Sequence, residues 1–328
     1  MLVVAVVAGI VAFREMTATV PLPEAESLMD AATVGFAELR LEPDDPWILG
    51  IFERDGSFPV PNDEVEKVLP ADLVWTAHRA GEGPETHLVS LSVSPRGKIF
   101  GLAIDFTLWK MGRSAQPHFS RVEHAGEGIT SFTGPFLPGS IFATGNRVVW
   151  ASDLPTARLG VDLLAAPAEA RAAASPPVLA LLPRRAGALV AGAIANENGA
   201  VARSLALVPG GLLKLPEQGG SALAGLAFSF DTISRSEGEG EVTLHFAPGT
   251  PQPVMEAVAT DLAAQISGLA VKGLTLSATA RYEDAKAVLL VRATGLESLY
   301  DQLAAWFVKG VRTLEEISEE AEPAPSGS

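Results

Sequence analysis

Cysteine is absent from this sequence. That excludes disulfides, thiolate metal sites, a cysteine nucleophile and an N-terminal lipidated cysteine. Basic residues are scarce: 24 Lys and Arg stand against 39 Asp and Glu, a net charge of −15. No basic run is longer than Arg184-Arg185. A nucleic-acid binder needs a basic footprint to displace phosphate counterions, so nucleic acid is not an expected partner. An anionic membrane surface repels the body as a whole. Aromatics make up only 6%.

Motifs that carry chemistry are also missing. Gly97-Lys98 lacks the rest of a phosphate-binding loop. The pairs around Glu82, Glu127 and Glu239 place a carboxylate between glycines, which opposes a pyrophosphate. Ser221 follows two glycines, but position 223 is leucine, so no nucleophile elbow forms. The expectation is therefore no catalytic residue, no cofactor-binding residue, no cofactor and no metal.

What is present is apolar bulk. Hydrophobic residues reach 48% and charged residues 19% over 328 positions, enough for a substantial core and for two ordinary domains or one large one. Residues 1–13, MLVVAVVAGIVAF, are apolar without a break and are stopped by Arg14-Glu15. Thirteen residues span about 20 Å as a helix, less than a hydrocarbon core. Three readings stand: a membrane anchor whose first turns lie upstream, the core of a cleaved signal, or a buried N-terminal strand or helix. The lack of any wet face favours the anchor.

The chain then divides into a linker and helix over 14–45, a first α+β unit over 46–166, an Ala/Pro linker over 167–177, a second α+β unit over 178–310 and an acidic tail over 311–328. Leu28, Ala32, Phe36 and Leu39 recur at helical spacing and predict a helix from Glu24 to Leu39. Val89 and Leu91 alternate with Ser90 and Ser92, which predicts a strand whose partner is Ile99 to Phe106 across a turn at 94–97. A hairpin is expected across Gly145-Asn146-Arg147, followed by a helix capped by Asp153 and ending near Ala166. In the second unit Leu226, Phe228 and Phe230 mark one strand and Val242, Leu244 and Phe246 the next, joined by a turn at 236–240. Val254, Val258, Leu262 and Ile266 mark a helix. Leu274 to Ala278 pairs with Val288 to Arg292, and Thr294 with Glu297 opens a closing helix carrying Leu303 and Phe307. Leu69-Pro70 and Leu182-Pro183 introduce similar stretches, as do the joints at 148–153 and 289–294. The expected fold class is α+β, with two similar subdomains, each a mainly antiparallel sheet with helices on one face.

Among candidate site residues, His118, Glu123, His124 and Glu127 form the one cluster with ligand chemistry. Six residues between the imidazoles place them about 20 Å apart on a strand or on diverging faces of a helix, so a solvated loop is the expectation. His78 or His87 would have to join it to complete a site. His245 falls on the polar face of its strand. Asp105 and Asp231, at strand ends, could form a carboxylate pair but suit turns better. Phe100, Phe106, Trp109, Phe119, Phe132, Phe136 and Phe142 crowd one segment and read as core rather than groove.

The apolar start, the Pro-rich stretch after it and Leu69-Pro70-Ala71-Asp72 leading into a strand at Leu73 to Trp75 resemble membrane-anchored extracytoplasmic proteins of GC-rich Gram-negative bacteria that carry a domain of unknown function. The resemblance implies an inner-membrane anchor, a periplasmic body and a place in the cell envelope. It brings no activity and no binding residues. Expected partners are an envelope protein or an apolar ligand, in a non-enzymatic role. The alternatives are a hydrolase or transferase with a site assembled from scattered residues, and a structural scaffold subunit.

Overall fold

The structure is a computed structural model that describes residues 24–42, 44–53, 71–79, 83–92, 106–109, 119–133, 138–144, 146–167, 176–183, 188–206, 213–216 and 219–300. The apolar segment 1–13, the tail 311–328 and the residues Leu303 and Phe307 lie outside these. No helix among the described residues is long and apolar enough to cross a membrane.

Among the described residues, twelve strands form one antiparallel sheet. In chain order they are β1 (Thr33–Arg40), β2 (Asp72–His78), β3 (Thr86–Ser92), β4 (Phe119–His124), β5 (Glu127–Phe132), β6 (Gly139–Thr144), β7 (Arg147–Ala151), β8 (Val190–Ala195), β9 (Leu223–Thr232), β10 (Glu237–Phe246), β11 (Thr275–Glu283) and β12 (Lys286–Thr294). Their spatial order is β11-β12-β10-β9-β8-β1-β2-β3-β7-β6-β5-β4. The halves thus share one continuous sheet instead of owning one each, and the seam is the antiparallel pair β1–β8. Outward from that seam the order reads β1-β2-β3-β7-β6 on one side and β8-β9-β10-β12-β11 on the other. Among the described residues, helices that accompany the strands include α1 (Pro46–Glu53), α2 (Leu154–Ala165), α3 (Ala200–Ala206), α4 (Gly219–Ala222) and α5 (Gln252–Ser267).

The helix predicted over 24–39 is not there. A 3-10 turn occupies Ala25–Leu28, and 33–40 is the strand β1, hydrogen-bonded on both sides. Thr33 and Val34 are β-branched, and Val34 and Phe36 are buried. Two strand partners outweigh a local helical spacing, because propensity is a weak prior against tertiary pairing. The strand predicted at 99–106 lies outside the described residues except for Phe106, which opens a helical turn over 106–109. The neighbours of β3 are β2 and β7. The turn predicted at 236–240 sits earlier, at 233–236, and Glu237 already belongs to β10.

The hairpin β6–β7 and helix α2 fall where the sequence places them. Thr144 pairs with Arg147, and the Asp153 side chain accepts the Thr156 N–H, satisfying an orphan donor of the first turn. The β11–β12 hairpin and the helix α5 are likewise as expected, and β9 pairs with β10 as expected across the shifted turn.

The two main helices cover opposite faces of the sheet. A row of directly paired residues runs Leu88–Thr76–Phe36–Ala193–Ala227–Thr243–Val288. Leu88, Phe36, Ala193 and Ala227 share a core with Ala157 and Val161 of α2. Leu244 and Leu289, one position along their strands and therefore on the other face, share a core with Val258, Leu262 and Ile266 of α5. Gly160 lets α2 approach: a Cβ there would come 3.1 Å from the Phe142 ring. In the sheet itself, aromatic rings lie across glycines of neighbouring strands. A Cβ on Gly192 would meet Phe228 at 2.5 Å. Phe230 is half-buried over Gly238.

At its outer edge β11 is overhung by α5. The Ser267 hydroxyl accepts the Ala278 N–H at 2.9 Å, a backbone donor that would otherwise point away from the sheet. Phe246 is 5% exposed in the α5 core. Phe246→Ala should therefore lower the unfolding free energy by about 3–5 kcal/mol, measured by urea denaturation; a loss below about 1 kcal/mol would mean that the ring does not pack there.

Candidate functional site

Near the start of β2 a polar rung crosses the face covered by α2. Arg40 pairs with Asp72, Ser92 with Arg147, Arg147 with Thr144, and Glu127 with His124. All these side chains stand on one face, because paired residues project to the same side. Their hydrogen bonds join the rung. Arg147, 1% exposed, donates to both oxygens of Asp72 at 2.9 Å and to Ser90 Oγ at 3.0 Å. Ser92 Oγ accepts the Asp72 N–H at 2.7 Å. Farther along, Thr144 donates to Glu127 at 2.7 Å, and His124 Nε2 meets Asp162 of α2 at 2.8 Å.

Ser90 and Ser92 are therefore buried on the same face as Leu88, and Val89 and Leu91 are half-buried on the other, the reverse of an apolar-in reading of the alternation. A buried guanidinium needs its donors filled, and Asp72 and Ser90 accept three bonds from the two terminal nitrogens of Arg147. The alternation was legible in the sequence. The sign of the face was not, because Arg147 sits far away in a hairpin turn motif.

At the β1 end, the rung opens into a surface depression of about 340 Å³ lined by Glu24, Glu26, Glu38, Arg40, Glu42 and the wall residue Asp72. Arg40 donates to Glu38 at 3.0 Å. That bond, with the charges of Glu38, Glu26 and Glu42, holds the guanidinium above its ordinary range against the opposing cost of burial. The depression as a whole carries more carboxylate than cation.

A second network is centred on a buried imidazole. His78, 3% exposed, places Nδ1 at 3.0 Å from Asp30 Oδ1 and Nε2 at 2.8 Å from Thr76 Oγ1. Thr33 Oγ1 donates to Asp30 at 2.9 Å and accepts the Asp30 N–H at 2.8 Å. Its proton is thereby spent, and an ionised carboxylate only accepts, so Nδ1–H donates to Asp30. The order carboxylate, imidazole, hydroxyl is that of an acyl-transfer triad. Thr76 is 0% exposed on a packed face, however, and no substrate carbonyl reaches it. Burial pushes the Asp30 carboxyl up, but the His78 hydrogen bond and charge and the bonds from Thr33 and the Ala32 N–H pull it below the usual carboxylate range.

The remaining sequence candidates scatter. His118 and Asp105 lie outside the described residues, as do Phe100 and Phe136. Glu123 is exposed. Among the described residues no group of three or more ligand-type side chains could hold a metal. His87 stacks on Trp75 with ring centroids 5.9 Å apart; burial pushes its pKa down, offset in part by Glu85 and reinforced by His78. His245 is half-buried opposite Lys286, and burial and then the Lys286 charge push it down. Asp231 is half-buried opposite Glu239 and accepts the Thr232 N–H. Phe142 is core, Phe119 and Phe132 pack edge-to-face at 5.2 Å, and Phe106 and Trp109 are exposed.

Two measurements test these networks. Arg147→Met should cost about 3–5 kcal/mol by leaving Asp72 charged and unpaired, while Arg147→Met with Asp72→Leu should recover most of that loss; a single variant as stable as the parent would contradict the buried pair. For Asp30 the folded pKa is depressed, so its stabilisation is complete above the ordinary carboxylate value and disappears as pH falls through the depressed one. Between about pH 5 and pH 2 the parent should lose stability more steeply than Asp30→Asn, followed by denaturant midpoint against pH; equal slopes would contradict the assignment. Compared with known proteins, the chain matches no family model, no curated protein and no solved structure.

Proposed function

We propose that this is a non-enzymatic envelope protein, tethered through residues 1–13 with its body on the periplasmic side, that receives a basic segment of another envelope protein. The observation that carries this reading is the acidic depression at the end of the polar rung. Its wall is held in place at Asp72 by the bidentate bond to Arg147 and by Ser92. A preorganised concave site with excess negative charge suits Lys or Arg side chains and speeds encounter with a basic partner. The imidazoles with chemistry to offer are committed elsewhere: His78 uses both ring nitrogens in the core, and His124 is tied to Asp162.

The same reading takes the two strand series flanking β1–β8 as halves of an internal repeat. The match sets β1 beside β8 and β7 beside β12, rather than joining the two Leu-Pro positions. Each half then gives three strands, an insertion with helical structure, a hairpin and a helical segment. Residues 296–300 begin the segment after β12, as α2 follows β7.

Titration of the full chain in detergent with a ten-residue Lys/Arg peptide should show binding that weakens with added salt. Glu38→Gln with Glu42→Gln should weaken it by roughly tenfold, about 1.4 kcal/mol. Equal affinity in parent and variant would sink the proposal.

A further inference from the structure

The acidic surface does not end at the depression. Glu38 of β1 pairs directly with Ala191 of β8, Ala191 with Ser229 of β9, and Ser229 with Glu241 of β10. Two residues along the same strands, Asp231 pairs with Glu239. Directly paired residues, and residues two apart on one strand, stand on one side of a sheet. All of these side chains therefore share the face of the depression. Cations mark the limits of the strip: Arg40, tied to Glu38, and Arg292 of β12, opposite Glu239.

Ser229 distinguishes this strip from an ordinary acidic surface. It is 4% exposed, and its Oγ has no hydrogen-bond partner among the described residues. Buried polar groups are nearly always bonded, so an orphan hydroxyl calls for an explanation. This one stands between Glu38 and Glu241, on the face over which a bound chain would pass. A hydroxyl can donate to a backbone carbonyl or accept a backbone N–H, so a chain laid across the strip supplies the missing bond.

The spacing selects the form of that chain. From β1 to β10 there are three strand spacings, about 14 Å. An extended segment covers about 14 Å in four residues, and residues four apart point to the same side. A helix needs about nine residues for that distance, a rotation of about 900° that turns the two side chains to opposite faces.

We infer that the basic segment received at the depression continues across β8, β9 and β10 as an extended chain, with one cation at Glu38, a second four residues on at Glu239 and Glu241, and a backbone group bonded to Ser229 Oγ. This inference rests on the reading of the depression as a site for a basic segment, and it adds the path and the form of that segment.

The test titrates the full chain in detergent with the ten-residue Lys/Arg peptide and compares four variants. Glu38→Gln/Glu42→Gln reports the depression. Glu239→Gln/Glu241→Gln reports the far end of the strip. Ser229→Ala reports the orphan hydroxyl without changing any charge. Glu256→Gln/Asp261→Asn removes two exposed carboxylates of α5, on the other face, and controls for net charge. The expected result is weakening by roughly fivefold in Glu239→Gln/Glu241→Gln, by about threefold in Ser229→Ala, and little change in the α5 variant. The denaturant midpoint of Ser229→Ala without peptide should equal or exceed that of the parent, because an unbonded hydroxyl is lost. A parent that does not bind the peptide overturns the reading of the depression and the strip with it. Binding that depends on Glu38 and Glu42 but is unchanged in Glu239→Gln/Glu241→Gln or in Ser229→Ala overturns the strip and leaves the depression standing. Equal weakening in the α5 variant makes the effect one of net charge and overturns the strip as well. A lowered midpoint in Ser229→Ala means that the hydroxyl is bonded within the fold, which also overturns it.

Discussion

The antiparallel pairing of β1 with β8 is the contact on which the rest of the sheet depends. It brings Phe36 beside Ala193 and closes a loop that contains all of β2 to β7. Closing a loop of that length costs about 2–3 kcal/mol more than closing a ten-residue hairpin, and it is recovered only when both cores form. Without it, β1 and β8 would each be an open edge. Other contacts bridge the halves as well. Trp47 of α1 donates its indole N–H to the Leu296 carbonyl, and Tyr300 donates to the Trp47 carbonyl. On the far side of the seam, Arg203 of α3 pairs with Glu85. The helix after the first strand of each half thus reaches the other half.

The α2 face of this sheet is unusual in being polar at one rim and apolar behind it. Asp72, Ser90, Ser92 and Arg147 are all buried, and removing water from them is unfavourable unless every bond is made. Such a rung contributes registration more than stability. A slip of β7 by one residue would send Arg147 to the opposite face, away from its carboxylate, and a slip of β3 would do the same to Ser90 and Ser92. The rung also fixes where Asp72 stands in the depression, so the fold's register and the shape of the proposed site are set by the same bonds.

How much of this is legible in the sequence depends on whether the deciding contact is local. The β6–β7 hairpin, the Asp153 cap, α5 and the β11–β12 hairpin are fixed by neighbours a few residues away, and periodicity locates them. Strand β1 is not: Leu28, Ala32, Phe36 and Leu39 recur at helical spacing, yet the partners that make 33–40 a strand are β2 and β8. The same holds for the site. Arg147 reads locally as a turn residue, and nothing near it points to Asp72. His78 reads as an isolated histidine until Asp30 and Thr76 are brought to its two nitrogens. The cluster that spacing does reveal, His118 to Glu127, is not assembled by spacing alone, since His124 turns to Asp162 on a helix.

The hydroxyl of Ser267 on the outer edge of β11 has a consequence for growth. A terminal strand of nine residues without proline is a template on which another chain can add, and repeated addition leads to fibrils. Here a side chain from the overlying helix already occupies a position where an incoming carbonyl would bind, and the helix body stands above the lane that an added strand would follow. On this side, the sheet ends as a crystal face does when a poison molecule sits on its growth step.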